Sequence, residues 1–240
     1  MVVKSQIKFI RSLQQKKYRN QHGMFVVEGV KVVKELLASQ ITVHIIYSSD
    51  VEFVAENKTS TTLVSETDLL KISSLRTPNK VVGVFQIPVP IKINPINWIV
   101  ALDDVRDPGN LGTIIRLCDW FGISNLLCSP NTVDCYNPKV LQATMGSISR
   151  VNIVYADLQK YLNEAQVPVY GAFMDGEVAY KEGFPGAGIL VMGNEANGIS
   201  QEIEALVTKK ICIPQFGAKT AESLNVSTAT AILLNEIKRT

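Results

Sequence analysis

The sequence is poor in the residues that build metal sites and disulfide frameworks. Its 240 residues include 2 histidines and 4 cysteines, and no two cysteines have the C-x-x-C spacing of a zinc site. We therefore expect no metal site. We expect the four cysteines to be reduced, partly buried packing residues: Cys118, Cys128, Cys135 and Cys212.

Long apolar runs are absent as well. No run approaches the roughly 18 residues of a membrane span, and no apolar signal segment follows the charged start MVVKSQIKF. We therefore predict a cytoplasmic protein without a membrane segment.

The common nucleotide fingerprints are also missing. No G-x-G-x-x-G motif joins a strand to a helix, because Gly186 and Gly188 precede their predicted strand, and the sequence has no Walker loop. Both absences argue against a dinucleotide-binding enzyme or a P-loop enzyme.

Acidic residues are absent from the first 20 positions, although the net charge of the chain is only +2. Ile7, Ile10 and Leu13 are spaced for one face of a helix, so this stretch predicts an amphipathic basic helix that could contact nucleic-acid phosphates. A solvated helix face would show the same pattern. The candidate RNA-binding residues are Lys4, Lys8, Arg11, Lys16, Lys17 and Arg19.

Strand and helix patterns alternate along the chain, which predicts an α/β fold in two domains. Residues 1–90 form a small α/β domain, a proline-containing linker spans 91–97, and residues 98–240 form the second domain. The regular alternation in the second domain predicts a mostly parallel sheet with helices on both faces.

Polar segments follow three predicted strands of the second domain, where ligands gather in open α/β sheets. In the first, DDVRDPGNLGTIIRLCDWFG (103–122), Asn110 is predicted to cap a helix that begins beside it. Arg116 stands among apolar residues of that helix and therefore needs an anion. The anion could be Asp119, Glu195 or a bound phosphate.

The second segment, ILVMGNEANGIS (189–200), runs from a buried strand to a helix capped by Ser200. The third, IPQFGAKTAESLNVSTATAILLNEI (213–237), contains a polar loop and a helix that opens at Ser223 or Asn225. Helix N-terminal N–H groups could hold an adenine edge or a carboxylate there. A plain loop and a capped helix would also explain the third segment.

These three segments resemble the three motifs of the SpoU, or TrmH-type, RNA ribose methyltransferases of the SPOUT superfamily. The resemblance rests on NLGTIIR, GNEANGIS and IPQFGAKTAESLNVSTATAI, in the family's order and spacing over residues 98–240. Ala196 stands where many members have glycine. FVVEGVKVVKELL is similar to the start of the substrate-binding domain that many members carry.

The resemblance implies a C-terminal trefoil knot and S-adenosylmethionine as the cofactor. It places the adenine against mainly main-chain groups of the cofactor-binding residues Met192, Gly193, Ile213, Ser223 and Leu224. Family members are usually homodimers packed through the knotted domain, so we expect a homodimer here.

The implied reaction is attack of a ribose 2′-hydroxyl on the sulfonium methyl group. The resemblance makes Arg116 catalytic and surrounds it with Asn110, Glu195 and Asn225. A guanidinium keeps its proton above pH 12, so we expect Arg116 to grip a phosphate and orient the hydroxyl, held by Glu195.

Ribosomal RNA is the expected substrate. The alternatives are a transfer RNA 2′-O-methyltransferase, a non-catalytic RNA-binding module of the same fold, and a small-molecule α/β enzyme unrelated to RNA. The two-domain layout with an N-terminal substrate domain favours ribosomal RNA, by family analogy. The basic N-terminus argues against the small-molecule enzyme.

Overall fold

The protein is described by a computed structural model that covers residues 2–217 and 223–239. The chain divides into two compact units, one of residues 1–89 with 134–149 and one of residues 90–133 with 150–240. Segment 134–149 therefore belongs to the N-terminal unit, although it follows the predicted linker. The functional assignment of the two predicted domains stays a prediction.

The helices and strands alternate as the sequence patterns predict. The helices are α1 Lys4–Ser12, α2 Lys16–His22, α3 Val30–Leu37, α4 Val51–Glu56, α5 Glu66–Ile72, α6 Pro108–Trp120, α7 Pro138–Thr144, α8 Leu158–Asn163, α9 Gln201–Glu204 and α10 Val226–Arg239. The strands are β1 Met24–Glu28, β2 Val43–Ser48, β3 Thr61–Leu63, β4 Val81–Gln86, β5 Ile99–Leu102, β6 Asn125–Cys128, β7 Asn152–Tyr155, β8 Val169–Val178, β9 Ile189–Met192 and β10 Lys209–Cys212.

The N-terminal unit is built on a mixed sheet with the strand order β1-β4-β2-β3. β4 pairs antiparallel with both β1 and β2, while β3 pairs parallel with β2. Helix α7, which lies more than 100 residues after β1 in the sequence, contacts β1. The fold of this unit therefore depends on segment 134–149.

The basic N-terminal stretch forms two helices, not the single predicted helix. Ile10 and Leu13 are buried as expected, and α1 ends at Ser12. A continuous helix would place Lys16 and Lys17 three and four residues after Leu13, on the buried face. The break before α2 instead leaves both lysines exposed.

Arg19 differs from the other candidate RNA-binding residues. Its side chain is 3% exposed and forms an ion pair with Asp134. Its guanidinium also donates to the main-chain oxygens of Leu13 and Gln14, at 2.9 and 2.8 Å. This is a correction, since a buried and paired guanidinium does not present itself to an RNA phosphate. Lys4, Lys8, Arg11, Lys16 and Lys17 are exposed.

The C-terminal unit has a parallel sheet with the order β10-β8-β9-β5-β6-β7. All residues of β5 and β9 are buried, so both faces of the central strands are covered. Ile99 and Ala101 share one apolar cluster with residues of α8 and α9. Val100 and Leu102 are buried on the opposite face. The predicted α/β fold with a mostly parallel sheet is confirmed.

One predicted helix start needs correction, and the structure decides between the two alternatives for another. The N-cap of α6 is Asp107, whose Oδ1 accepts from the N–H of Asn110 at 2.8 Å. Pro108 fits the first helical position because it has no N–H to satisfy. Helix α10 does not begin at Ser223, because Asn225 caps it by accepting from the N–H of Ser227 at 2.9 Å. Because Asp107 caps α6, the Asn110 amide is released for other contacts.

Candidate active site

The first two sequence motifs meet because the strands before them are neighbours. Leu102 at the end of β5 pairs with Met192 at the end of β9 and with Cys128 at the end of β6. The strands are parallel, so the segments after them leave the same edge of the sheet. Residues 103–110 and 193–200 therefore come together, as the sequence predicts.

Two aspartates after β5 fix the loop after β9. Asp103 is 7% exposed, and its Oδ2 accepts from the N–H and hydroxyl of Ser200, at 2.8 and 2.7 Å. Asp104 adopts a φ of 59°, which is uncommon for a residue with a side chain. Its main-chain oxygen accepts from Asn194 Nδ2 at 2.7 Å. Ser200 is the N-cap of α9 as predicted, but its hydroxyl donates to Asp103 and makes no hydrogen bond to the helix.

The loop after β9 folds back on itself at very short range. The main chains of Asn194 and Gly198 exchange two hydrogen bonds of 2.9 Å. A Cβ atom on Gly193 would lie 2.2 Å from the carbonyl carbon of Gly198, so only glycine fits there. Ala196, the departure from the common family residue, is exposed in this turn.

A continuous series of side-chain hydrogen bonds joins all three sequence motifs. Asn110 Nδ2 donates to Glu195 Oε1 at 3.0 Å, and Asn110 Oδ1 accepts from Asn225 Nδ2 at 2.8 Å. Asn225 in turn caps α10. Three residues that are far apart in the sequence thus form one connected group, Glu195, Asn110 and Asn225.

The Glu195 carboxylate is held in its charged form by donors from the start of α6. Burial by itself raises the pKa of Glu195, but the Asn110 amide and the N–H groups of Asp107 and Arg106 outweigh burial. These donors lie 3.0, 3.2 and 3.3 Å from the carboxylate oxygens. The net effect holds the pKa of Glu195 below its ordinary value, so this carboxyl is ionised at neutral pH.

Arg116 stands apart from this group. It is exposed on α6, six residues beyond Asn110, or roughly 9 Å along the helix axis. Neither expected internal partner holds it: Asp119 pairs with Arg150 at 2.8 Å, and Glu195 accepts from Asn110 and main-chain N–H groups. Within residues 2–217 and 223–239, Arg116 has no hydrogen bond or ion pair. Its guanidinium is therefore open to a ligand anion.

A cavity of about 600 Å³ opens beside Glu195 and Asn225. Among the predicted cofactor-binding residues, Gly193, Ile213, Ser223 and Leu224 line it. Met192 does not line it, and its main-chain oxygen accepts from the N–H of Asp103 at 2.9 Å. The predicted loop 215–222 is described only up to Gly217, since residues 218–222 lie outside the described part of the chain.

The chemistry of this cavity fits a ligand with a flat heterocycle and a polar tail. Its size falls in the range of about 300–1,000 Å³ that is common for small-molecule sites. Ile211, Ile213, Val226 and Leu233 supply an apolar lining. No main-chain hydrogen bond joins Ile213, Ser223 or Leu224 to another described residue, so their N–H and C=O groups are available.

Sequence patterns missed several residues of this site. Asp103 and Asp104 orient the loop after β9, and Asp107 caps α6. Ala172, Phe173 and Met174 of β8 line the cavity, although the predicted strand ended at Phe173. The paired aspartates directly after a buried strand were the available signal, because polar residues at that point usually face a ligand crevice.

Other site types find little support in the described residues. No described helix is long and apolar enough to cross a membrane. Among residues 2–217 and 223–239, no group of three or more His, Cys, Asp and Glu side chains could hold a metal ion. All four cysteines are buried, as predicted.

Two family models match the chain. Residues 97–235 match the SpoU rRNA Methylase family, and residues 4–83 match the MRM3-like substrate binding domain. The first match covers more than half of the sequence and contains the whole hydrogen-bonded group. The chain belongs to the SpoU rRNA methylase family.

Individual relatives agree with this membership. A structure of a protein assigned to the TrmH family of RNA methyltransferases, from Porphyromonas gingivalis, is 36% identical with a TM-score of 0.92, over 100% of this chain and 99% of that one. The AdoMet-bound rRNA methyltransferase of Sinorhizobium meliloti is 33% identical with a TM-score of 0.87, over 100% and 97%. The 23S rRNA (guanosine(2553)-2′-O)-methyltransferase RlmP of Bacillus subtilis is 29% identical, over 97% of this chain and 95% of RlmP.

Proposed function

We propose that this chain is an enzyme that transfers the methyl group of S-adenosylmethionine to a ribose 2′-hydroxyl of ribosomal RNA. The observation that carries the proposal is the joined group Glu195, Asn110 and Asn225 at the edge of the cavity of about 600 Å³. Family membership and the rRNA methyltransferases among the full-length relatives support the reaction and the substrate.

The cofactor occupies the cavity beside Glu195. When bound, S-adenosylmethionine supplies an electrophilic methyl group on a sulfonium. The free main-chain groups of Ile213, Ser223 and Leu224 would hold the adenine edge, while Gly193 allows the close return of the chain that shapes this wall of the cavity. The ionised Glu195 carboxylate, which lines the cavity, would supply a negative charge toward a cationic cofactor.

Arg116 presents the RNA to the methyl group. Its exposed guanidinium binds the phosphate next to the target ribose in a two-pronged contact, which orients the 2′-hydroxyl. The new bond joins the 2′-oxygen to the methyl carbon as the sulfur–methyl bond breaks, and the hydroxyl proton leaves to water. Because guanidinium keeps its proton, Arg116 acts by positioning, which can contribute several kcal/mol to a rate.

The exposed cations of α1 and α2 contact the RNA backbone. Lys4, Lys8 and Arg11 recur at the spacing of one helical face and stand away from the buried Ile10. Lys16 and Lys17 begin α2. Contacts of this kind add affinity that falls with salt and carry little sequence information.

The protein acts as a homodimer through its C-terminal domain, and its C-terminal chain forms a trefoil knot; both parts of the proposal extend the family resemblance. Trp120 on α6 is 84% exposed, which suits a surface that a second subunit covers. A mass of twice the 26.4 kDa chain in light scattering would support the dimer. The cytoplasmic location stays a prediction.

The decisive experiment measures methyl transfer from tritiated S-adenosylmethionine to unmodified ribosomal RNA and, separately, to transfer RNA. We expect label in ribosomal RNA at linkages that resist alkaline hydrolysis, because a 2′-O-methyl group removes the attacking hydroxyl. Label in transfer RNA alone, or only in alkali-sensitive linkages, would contradict the proposal. Calorimetry without cofactor binding would instead favour the non-catalytic RNA-binding module.

A further inference from the structure

The N-terminal unit contains a second cavity, of about 400 Å³, that the proposed methyl transfer does not use. Val26, Val27, Val32 and Leu141 line it, and each of them is at most 7% exposed. These residues come from β1, α3 and α7, so the cavity has a buried apolar base. A base of this kind suits a flat, weakly polar ring.

Three side-chain amides line the same cavity: Gln14, Asn137 and Gln142. Asn137 Oδ1 caps α7 by accepting from the N–H of Lys139 at 2.9 Å, but its Nδ2 has no acceptor among the described residues. The side chains of Gln14 and Gln142 likewise have no hydrogen-bond partner within the described parts of the chain. Each amide offers both donors and an acceptor, which is the chemistry that reads the edge of a nucleobase.

One cation and one anion line the cavity, and they differ in whether the protein already pairs them. Lys139 is exposed and lines the opening. Glu28 also lines the cavity, but its carboxylate is occupied by the hydroxyl of Ser73 and by the N–H and hydroxyl of Ser74, the last two at 2.8 and 2.6 Å. The acidic group is thus satisfied by neutral donors within the protein, and the cationic group is free to meet a ligand.

Hydrogen bonds and an ion pair outside the cavity hold its walls in place. The buried guanidinium of Arg19 donates to the main-chain oxygen of Gln14 at 2.8 Å and pairs with Asp134, three residues before Asn137. Glu28 accepts a hydrogen bond from the N–H of Ser74 and thereby fixes the neighbouring Leu75, which lines the cavity. Arg19 is therefore a positioning residue for two of the three amides. Walls held in this way lower the ordering cost of binding.

We propose that this second cavity binds one unpaired nucleotide of the RNA substrate, with its base on Val26 and Leu141, its edge on the three amides and its phosphate beside Lys139. The inference rests on the proposed function, because it takes RNA as the substrate. It adds a recognition site that lies in the N-terminal unit. A free nucleotide shares this chemistry, so the test must separate the two sources.

The direct test follows the side-chain NH2 signals of Gln14, Asn137 and Gln142 by NMR in the ¹⁵N-labelled full chain. The probes are AMP, GMP, CMP and UMP, and a single-stranded RNA hexamer of mixed sequence. We expect the hexamer to shift these signals at concentrations at least about tenfold below those of the mononucleotides, because flanking phosphates add contacts. The Gln159 signal, from an exposed glutamine of α8, should stay in place.

Variants test the same inference through affinity. Gln142→Ala removes an exposed amide, and Asn137→Ser removes the Nδ2 group but keeps a side chain that caps α7. Each should weaken hexamer binding about threefold to tenfold, as expected for the loss of one or two hydrogen bonds. Gln159→Ala, the matched control on α8, should leave the affinity unchanged.

The outcomes distinguish this inference from the proposed function. Methyl transfer to ribosomal RNA with no shift of the three cavity amides by any probe overturns the second site alone. Cavity shifts without methyl transfer support the second site and overturn the proposed reaction. A mononucleotide that binds more tightly than the hexamer overturns RNA as the source of the nucleotide.

Discussion

Asn110 joins the three motifs because a single amide carries both a donor and an acceptor. Its Nδ2 meets an acceptor-only carboxylate, Glu195, while its Oδ1 meets the Nδ2 donor of Asn225. Aspartate has no donor for Glu195, and leucine has neither group. The asparagine at this position is therefore set by its two partners.

Asn110→Asp should disable the site and destabilise the fold. The change keeps the side-chain shape but places a second carboxylate where Glu195 now accepts a hydrogen bond at 3.0 Å. We expect a loss of about 1–3 kcal/mol in the free energy of unfolding in urea and a fall in methyl transfer of roughly tenfold or more. Asn235→Asp on the exposed side of α10 is the control. Equal behaviour of the two variants would contradict the role of Asn110.

The lowered pKa of Glu195 predicts that the protein loses stability at acid pH. Its pKa in the folded protein lies below the ordinary value of 4.5, so its contribution is present above that value and is lost as the pH falls through the folded pKa. Wild type should therefore melt at a higher temperature than Glu195→Gln at pH 7, and the two curves should approach each other as the pH falls below 4.5 and through the folded pKa. Calorimetric melting from pH 7 to pH 3 measures this. A constant difference at all pH values would contradict the assignment.

Arg116 should matter for the reaction but not for the fold. It has no partner among the described residues, so its replacement breaks no internal contact. Arg116→Lys keeps the charge but loses the planar fork that grips a phosphate. We expect methyl transfer to fall about tenfold or more, with unchanged melting temperature and unchanged calorimetric affinity for S-adenosylmethionine. Transfer at the wild-type rate would rule out the positioning role.

At the scale of elements, the loop between β9 and α9 is shaped by main-chain contact. Asp103 and Asp104 at the end of β5 hold its two ends, through Ser200 and Asn194. Gly193 allows the close return of the chain at Gly198. The loop therefore forms one wall of the cavity and also delivers Glu195 to Asn110.

Gly193→Ala should disturb that loop. The new Cβ would lie 2.2 Å from a main-chain carbon, and main chain cannot move aside as a flexible side chain can. We expect a loss of about 1–3 kcal/mol of stability, and weaker binding of S-adenosylmethionine by roughly tenfold or more in calorimetry. Gly186→Ala is the matched control, because nothing lies within 4 Å of its Cβ position. Unchanged cofactor affinity in Gly193→Ala would contradict the loop's role.

At the scale of the whole molecule, segment 134–149 lies within the range matched by the methylase family but packs in the N-terminal unit. Arg19 of α2 links this segment to the N-terminal helices, since it forms an ion pair with Asp134. A buried pair of this kind is costly to break from one side, because the remaining charge stays without its partner.

A double-mutant cycle tests this link. Arg19→Met and Asp134→Leu should each cost about 3–5 kcal/mol in urea unfolding, and the double variant should cost clearly less than their sum. Lys34→Met and Glu56→Leu form the control cycle, because that pair is 51% and 60% exposed and should contribute at most about 1 kcal/mol. Additive losses at Arg19 and Asp134 would show that the pair carries no coupling.

The sequence anticipated the elements and the three motifs better than it anticipated their contacts. Residue spacing correctly placed the buried strand that opens segment 189–200, observed as Ile189–Met192, and the Ser200 cap of the helix after it, because apolar periodicity and capping act over a few residues. It placed the cap of α6 at Asn110 and not at Asp107, and it predicted one helix where α1 and α2 are separate. A single proline or one pair of lysines decides such boundaries. The prediction that Glu195 holds Arg116 was also wrong, since Glu195 accepts a hydrogen bond from Asn110.

By itself, the sequence determined the parallel α/β fold, the order of the motifs and the family, because local periodicity and motif spacing are written along the chain. Only the tertiary structure decided that Asn110 joins Glu195 to Asn225, that Arg19 turns inward to Asp134, and that α7 closes a second cavity. Each of these contacts joins residues 85 or more positions apart. Such pairs leave no mark in local spacing, since the sheet register and the packing of distant segments bring them together.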